Sequence, residues 1–368
     1  MTTVHAPVLH HDLTPVQRDC LEALPLSGHH VVDGPPGSGK SLLAAHRAVH
    51  LALTGHPTVL LTRSNLLRQL LHHTLQGLAI PAAPVAASTA HAWIHRRFGR
   101  AATGTEDGWF DWHALALHGV EAPGAPPVPE DRPHLVIDEG QDLPPGLYRL
   151  ARLTAASVTV FADACQRLTE TNSTLDEIAK ALGRHTGRAA IGGNHRNTRE
   201  IAALAERFRV DGARPALPSL RGEAPILRGF TGLTQIADEV AELSRCYPGD
   251  RIGVIVNSLR TAADLLRILE KAGLAHAPQL YSSAAAAGRY RDLDLTRPGI
   301  VLVHRASAKG LDFETVVIPD TETDAATDPT AAELRMTYYV MVTRARRRLV
   351  LGWQGERMPR HLEGLRSH

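Results

Sequence analysis

The chain has 368 residues, a formal net charge of +2, and 43% apolar and 21% charged residues. This is length enough for two domains of ordinary size and the composition of a globular protein, and a near-neutral balance neither requires nor excludes nucleic acid. No apolar run approaches the roughly 18 residues of a membrane helix, MTTVHAPVLHHD lacks a signal-peptide core, and the dispersed Cys20, Cys165 and Cys246 read as reduced thiols of a cytoplasmic protein.

Short apolar strands alternate with helical periodicities along the first half. HVVDG leads into a helix from Lys40, TVLLT into one over 66–75, HLVIDE into one over 143–153, and SVTVFAD into one over 175–182. Near-continuous Val/Ile/Leu strands alternating with helices predict a parallel sheet covered on both faces, an α/β architecture. A second series, APILRGF, RIGVIVN, GIVLVH, ETVVIP and RLVLG, predicts a second lobe of the same class. The boundary is placed near residue 187, giving lobes 1–187 and 188–368. Pro-rich loops lie at 121–133 and 211–225.

DGPPGSGKS, residues 33–41, fits the pattern GxxxxGK[ST] between a strand and a helix. Gly34, Pro35, Gly37, Ser38 and Gly39 form a loop whose backbone amides wrap an anionic phosphate at a helix N-terminus. Lys40 would reach the terminal phosphates of ATP, and Ser41 would ligate Mg2+. HLVIDE brings Asp138 and Glu139 to the carboxyl edge of the same sheet, where ligands of open α/β sheets bind. Asp138 is the metal-binding candidate, and Glu139 the group that would orient or deprotonate the attacking water.

With DEGQD at 138–142 the chain resembles superfamily 1 helicases of the UvrD type, which implies two RecA-like parallel-sheet lobes. Further segments match that family's boxes in order. LTPVQRD implies Gln17 as an adenine-reading glutamine, and FADACQ implies Gln166 as the γ-phosphate sensor. NHRNTREI implies Arg196 as an arginine finger and His195 against the adenine. HRASAKGLDF places Gly310 and Asp312 at the nucleotide and Lys309 toward nucleic acid. YYVMVTRARRRLVL supplies Arg344 as a second finger, while 346–348 read as a solvated or phosphate-facing basic stretch. The resemblance puts ATP in a cleft between the lobes, with turnover tied to closure.

TRSNLL and STAHAW resemble the two nucleic-acid-facing motifs of the first lobe. Thr62, Arg63, Ser64, Asn65 and His91 would bind phosphates at helix N-termini, and Trp93 is either a base platform or a core residue. The chain departs from the family in two ways. The large insertions are absent, and residues 166–178 hold no aromatic where a base-stacking one is usual. The implied partner is therefore single-stranded DNA, held weakly and through its backbone, by an ATP-hydrolysing motor working with a second protein. A nucleotide-switch ATPase subunit of a multiprotein assembly, for example one containing a nuclease, is the other reading left open.

Overall fold

In the computed structural model, which describes residues 10–78, 85–121, 132–163, 173–210, 215–285 and 291–365, the β–α alternation produces two separate parallel sheets. The chain divides into two compact units that meet in sequence at Gly192–Gly193. The first unit therefore runs past the expected boundary at 187, because residues 187–190 form a strand of its own sheet.

The first sheet contains β1 (Gly28–Asp33), β2 (Thr58–Thr62), β3 (Val85–Thr89), β4 (His134–Ile137), β5 (Ser157–Ala162) and β6 (Gly187–Ala190). Its order is β3-β2-β4-β5-β1-β6, and every pairing is parallel. All carboxyl ends thus lie along one edge. The helices are α1 (Pro15–Ala23), α2 (Lys40–Ala52), α3 (Asn65–Gly77), α4 (Ala90–Phe98), α5 (Trp112–Glu121), α6 (Pro145–Thr154) and α7 (Leu175–Leu182).

Successive strand residues point to opposite faces, so each strand feeds two cores. Val31, Leu61, Leu135, Ile137 and Val160 pack against Ile94, Leu147 and Leu150 on one face. Val32, Leu60, Val136 and Phe161 pack against Leu43, Leu51, Leu67 and Leu71 on the other. Burying each such side chain contributes about 1.5–3 kcal/mol, which makes the two-sided sheet the rigid support of its edge.

The second sheet holds β7 (Ile226–Phe230), β8 (Arg251–Val256), β9 (Gln279–Leu280), β10 (Gly299–His304), β11 (Phe313–Ile318) and β12 (Ala345–Gln354) in the order β7-β12-β11-β8-β10-β9, again all parallel. Its helices are α8 (Arg199–Ala205), α9 (Leu233–Cys246), α10 (Leu259–Leu269), α11 (Ala332–Val342) and α12 (Arg360–Glu363). Ile236, Val240, Leu265 and Leu269 of α9 and α10 cover one face through Ile252, Val254, Leu302 and Val317. Among the described residues no helix is long and apolar enough to cross a membrane.

Candidate nucleotide and nucleic-acid site

The loop from β1 to α2 turns through Gly37 and Gly39, at φ 80° and 90°. That left-handed conformation favours glycine. A Cβ on Gly39 would also lie 2.4 Å from Gln17 Nε2. The Gln17 carboxamide is already committed. It donates to Ser38 O at 2.9 Å and accepts from Thr14 N at 3.0 Å, closing the capping box of α1. The structure thus makes this buried glutamine a brace between α1 and the loop, where the family resemblance implies a reader of adenine. Lys40 Nζ donates to Gly34 O at 2.6 Å, Pro35 O at 3.0 Å and Asp163 Oδ2 at 3.3 Å. Ser38 Oγ is buried and accepts or donates no hydrogen bond.

The order of the sheet brings three strand ends together: β1 carries the loop, Asp163 follows β5, and Asp138 follows β4. Asp138 is fully buried, and neither carboxylate oxygen has a hydrogen-bond partner. Burial, reinforced by the charge of Glu139, pushes its carboxyl up to about 7, while the Ser41 hydroxyl and the Lys40 ammonium pull the other way. A carboxylate this deeply buried without a hydrogen bond has the chemistry of a cation ligand, and Ser41 supplies a neutral oxygen beside it.

Glu139 adopts φ 53°, ψ 45°, the left-handed region in which a non-glycine residue is strained by about 1–2 kcal/mol. Its carboxylate accepts from Gln141 Nε2, and Gln141 Oε1 accepts from Asp163 N at 3.0 Å. Gln141 therefore ties the end of β4 to the end of β5 and fixes the Glu139 side chain. Gly140 permits the turn's close approach to β5, since a Cβ there would meet Val160 Cγ1 at 2.3 Å. Gln141 does not stand out as a site residue from spacing alone, whereas Asp163 is legible as the acidic end of an apolar strand that reaches the nucleotide edge. Gln166 lies outside the described residues.

The other half of the same edge, β2 and β3, carries the candidate nucleic-acid contacts. Thr62 is buried with an unpartnered Oγ1, Ser64 caps α3 by accepting from Leu67 N at 3.3 Å, and Asn65 Oδ1 accepts from Arg68 Nε at 3.1 Å. Arg63 is exposed and donates to Asp142 O at 3.1 Å. His91, at the start of α4, bonds Gly108 O through Nε2 at 2.9 Å. Trp93 is a core residue, not a base platform. It is 5% exposed and packs edge-on against Phe98, because position 93 falls on the sheet-facing side of α4.

In the second unit the sequence-selected residues gather at the amino ends of β11 and β12. Arg196 Nε lies 3.7 Å from Asp312 Oδ2, and Arg346 Nη1 is 3.8 Å from the same oxygen. Burial would raise the Asp312 carboxyl, but Arg196, Arg251, Arg346 and Arg344 together hold it below its ordinary value. Arg344 is buried and donates to Val340 O at 2.9 Å and Leu311 O at 3.2 Å, so it also fastens α11 to the strand that follows Gly310. Gly310 takes φ 80°, Lys309 is half-buried, and His195 is exposed with its ring against Gly193. Asn197 Nδ2 anchors the Arg196 segment by donating to Thr343 O and Ala345 O.

No family model matches the chain, and no curated protein matches it. Among solved structures, the helicase MrfA bound to DNA aligns at 12% identity and a TM-score of 0.54, over 94% of this chain and 46% of that one. The arterivirus nonstructural protein 10 helicase in complex with DNA aligns at 14% identity and 0.41, over 96% and 65%. The PRRSV helicase aligns at 11% and 0.44, over 92% and 54%. The chain spans about half the length of MrfA. The likeness to MrfA shows the fold alone: two RecA-like parallel-sheet lobes in succession along the chain.

Proposed function

We propose that the chain is an ATP-hydrolysing, helicase-like motor that acts on single-stranded nucleic acid. The observation that carries the reading is Asp138, a fully buried and unpartnered carboxylate at a strand end adjoining a glycine-rich loop with Lys40 and Ser41. Only the Ser41 hydroxyl and the Lys40 ammonium offset the burial of that carboxyl, and a magnesium ion would complete the set.

In this reading the backbone of residues 34–39 cradles the phosphates, and Lys40 exchanges its contacts with Gly34 O and Pro35 O for phosphate oxygens. Ser41 and Asp138 would hold a magnesium ion, which supplies positive charge to the phosphates when bound. Glu139, fixed by Gln141, orients the attacking water and accepts its proton. Arg196 neutralises charge on the transferring phosphoryl, as does Arg344 once it gives up its carbonyl partners. His195, Gly310 and Asp312 contribute to nucleotide binding from the second unit. Thr62, Arg63, Ser64, Asn65, His91 and Lys309 contribute to the strand, with DNA as the preferred polymer and a protein partner supplying contacts that this chain lacks.

The test is steady-state ATP hydrolysis with magnesium, with and without single-stranded DNA or RNA at low salt. Hydrolysis should rise several-fold with the strand, and Lys40→Ala should abolish it. Hydrolysis that survives Lys40→Ala would remove the site assignment, and hydrolysis indifferent to either polymer would remove the motor.

A further inference from the structure

The segment between α4 and α5 folds into a small hairpin. Gly104 bridges Phe110, Thr105 N donates to Trp109 O at 3.0 Å, and Asp111 N donates to Thr103 O at 3.2 Å. Asp107 Oδ1 clamps the turn by accepting from Thr105 Oγ1 and from Trp109 N at 3.0 Å. The hairpin inserts Trp109 and Phe110 into the core, and Trp109 is only 4% exposed.

Two planar polar groups rest on that tryptophan. The His91 ring is stacked on it, with centroids 4.4 Å apart and planes at 29°. The Arg63 guanidinium lies over it at 5.6 Å from the ring centroid. Each is held a second time, His91 by Gly108 O and Arg63 by Asp142 O. A long arginine pinned by an indole and a carbonyl has already lost much of the side-chain entropy that binding would otherwise cost. Arg63 remains exposed and His91 half-exposed, at the ends of β2 and β3 where α3 and α4 begin.

We propose that Arg63 and His91, seated on Trp109, form a stacking platform for unpaired nucleobases. The inference rests on the nucleic-acid reading above and adds to it a grip on bases. Imidazole and guanidinium planes both stack bases, without regard to sequence, because every base presents a π-face. Trp109 is the positioning residue of this platform, and Asp142 connects it to the turn that carries Glu139 and Gln141.

The experiment compares equilibrium binding of an oligothymidylate with that of an abasic strand carrying the same number of phosphates. Wild type should prefer the base-bearing strand by about five- to 100-fold, the stacking of one or two bases. Arg63→Lys keeps the charge and removes one of the two planes, so the preference should fall by about fivefold or more while the salt dependence stays unchanged. Trp109→Leu should lower the preference as well. A wild-type preference near unity, or one preserved in both variants, overturns the platform. Failure to bind either strand at low salt overturns the nucleic-acid reading itself, a result distinct from base-independent binding.

Discussion

Replacing Asp138 by asparagine keeps the shape of the side chain and removes its charge. The folded protein holds this carboxyl at about 7, against an ordinary value of 3.8. Between those pH values the folded state binds more protons than the unfolded state, so stability falls as pH rises through that window. The cost is absent below it and complete above about 7, where it reaches roughly 4 kcal/mol. At about 2–4 °C per kcal/mol, Asp138→Asn should raise the melting midpoint by as much as about 10 °C near pH 8 and by little near pH 4, measured in chelator. Magnesium should then raise the midpoint of wild type near pH 8 and leave the asparagine variant unmoved. A difference of equal size at both pH values, or an asparagine variant that melts below wild type near pH 8, would refute the reasoning.

Glu139→Gly relieves the left-handed strain but leaves the buried Gln141 Nε2 without its acceptor, so the two offset and stability in urea should change by less than about 1 kcal/mol. Its ATP hydrolysis should drop by about 100-fold or more; a variant that hydrolyses normally would remove Glu139 from the chemistry. Gly140→Ala forces a methyl to within 2.3 Å of Val160 Cγ1 and 3.0 Å of Tyr148 Oη, both buried. It should cost about 1–3 kcal/mol in denaturant unfolding, and an unchanged midpoint would contradict the packing described for this turn.

The strands buried on both faces are legible in the chain, because a run such as LVI at 135–137 is apolar at consecutive positions and so feeds two cores. The three strands that sequence does not reveal, β3 (VAAST), β6 (GRAA) and β9 (QL), all lie at sheet edges. An edge strand has one pairing partner and less apolar surface to cover, so small and polar residues suffice. Phosphate-loop chemistry is similarly legible, since glycine spacing, the lysine and the following helix are contiguous in sequence.

Contacts between segments are not written locally. Gln17 lies twenty-one positions before the Ser38 carbonyl that it braces, and nothing near it announces that its carboxamide is spent there. Trp93 and Trp109 carry equal weight as letters. The helical phase of α4 turns the first into the core, while a clamped hairpin brings the second beneath Arg63 and His91. Sequence by itself determined the alternating α/β plan and the residue types of the phosphate site, because periodicity and loop chemistry act over a few neighbours. Only the tertiary structure decided that Asp138 is buried without a partner, that Gln141 steers Glu139, and that an aromatic support stands at the end of β2. Those properties depend on which strand ends the sheet order brings side by side.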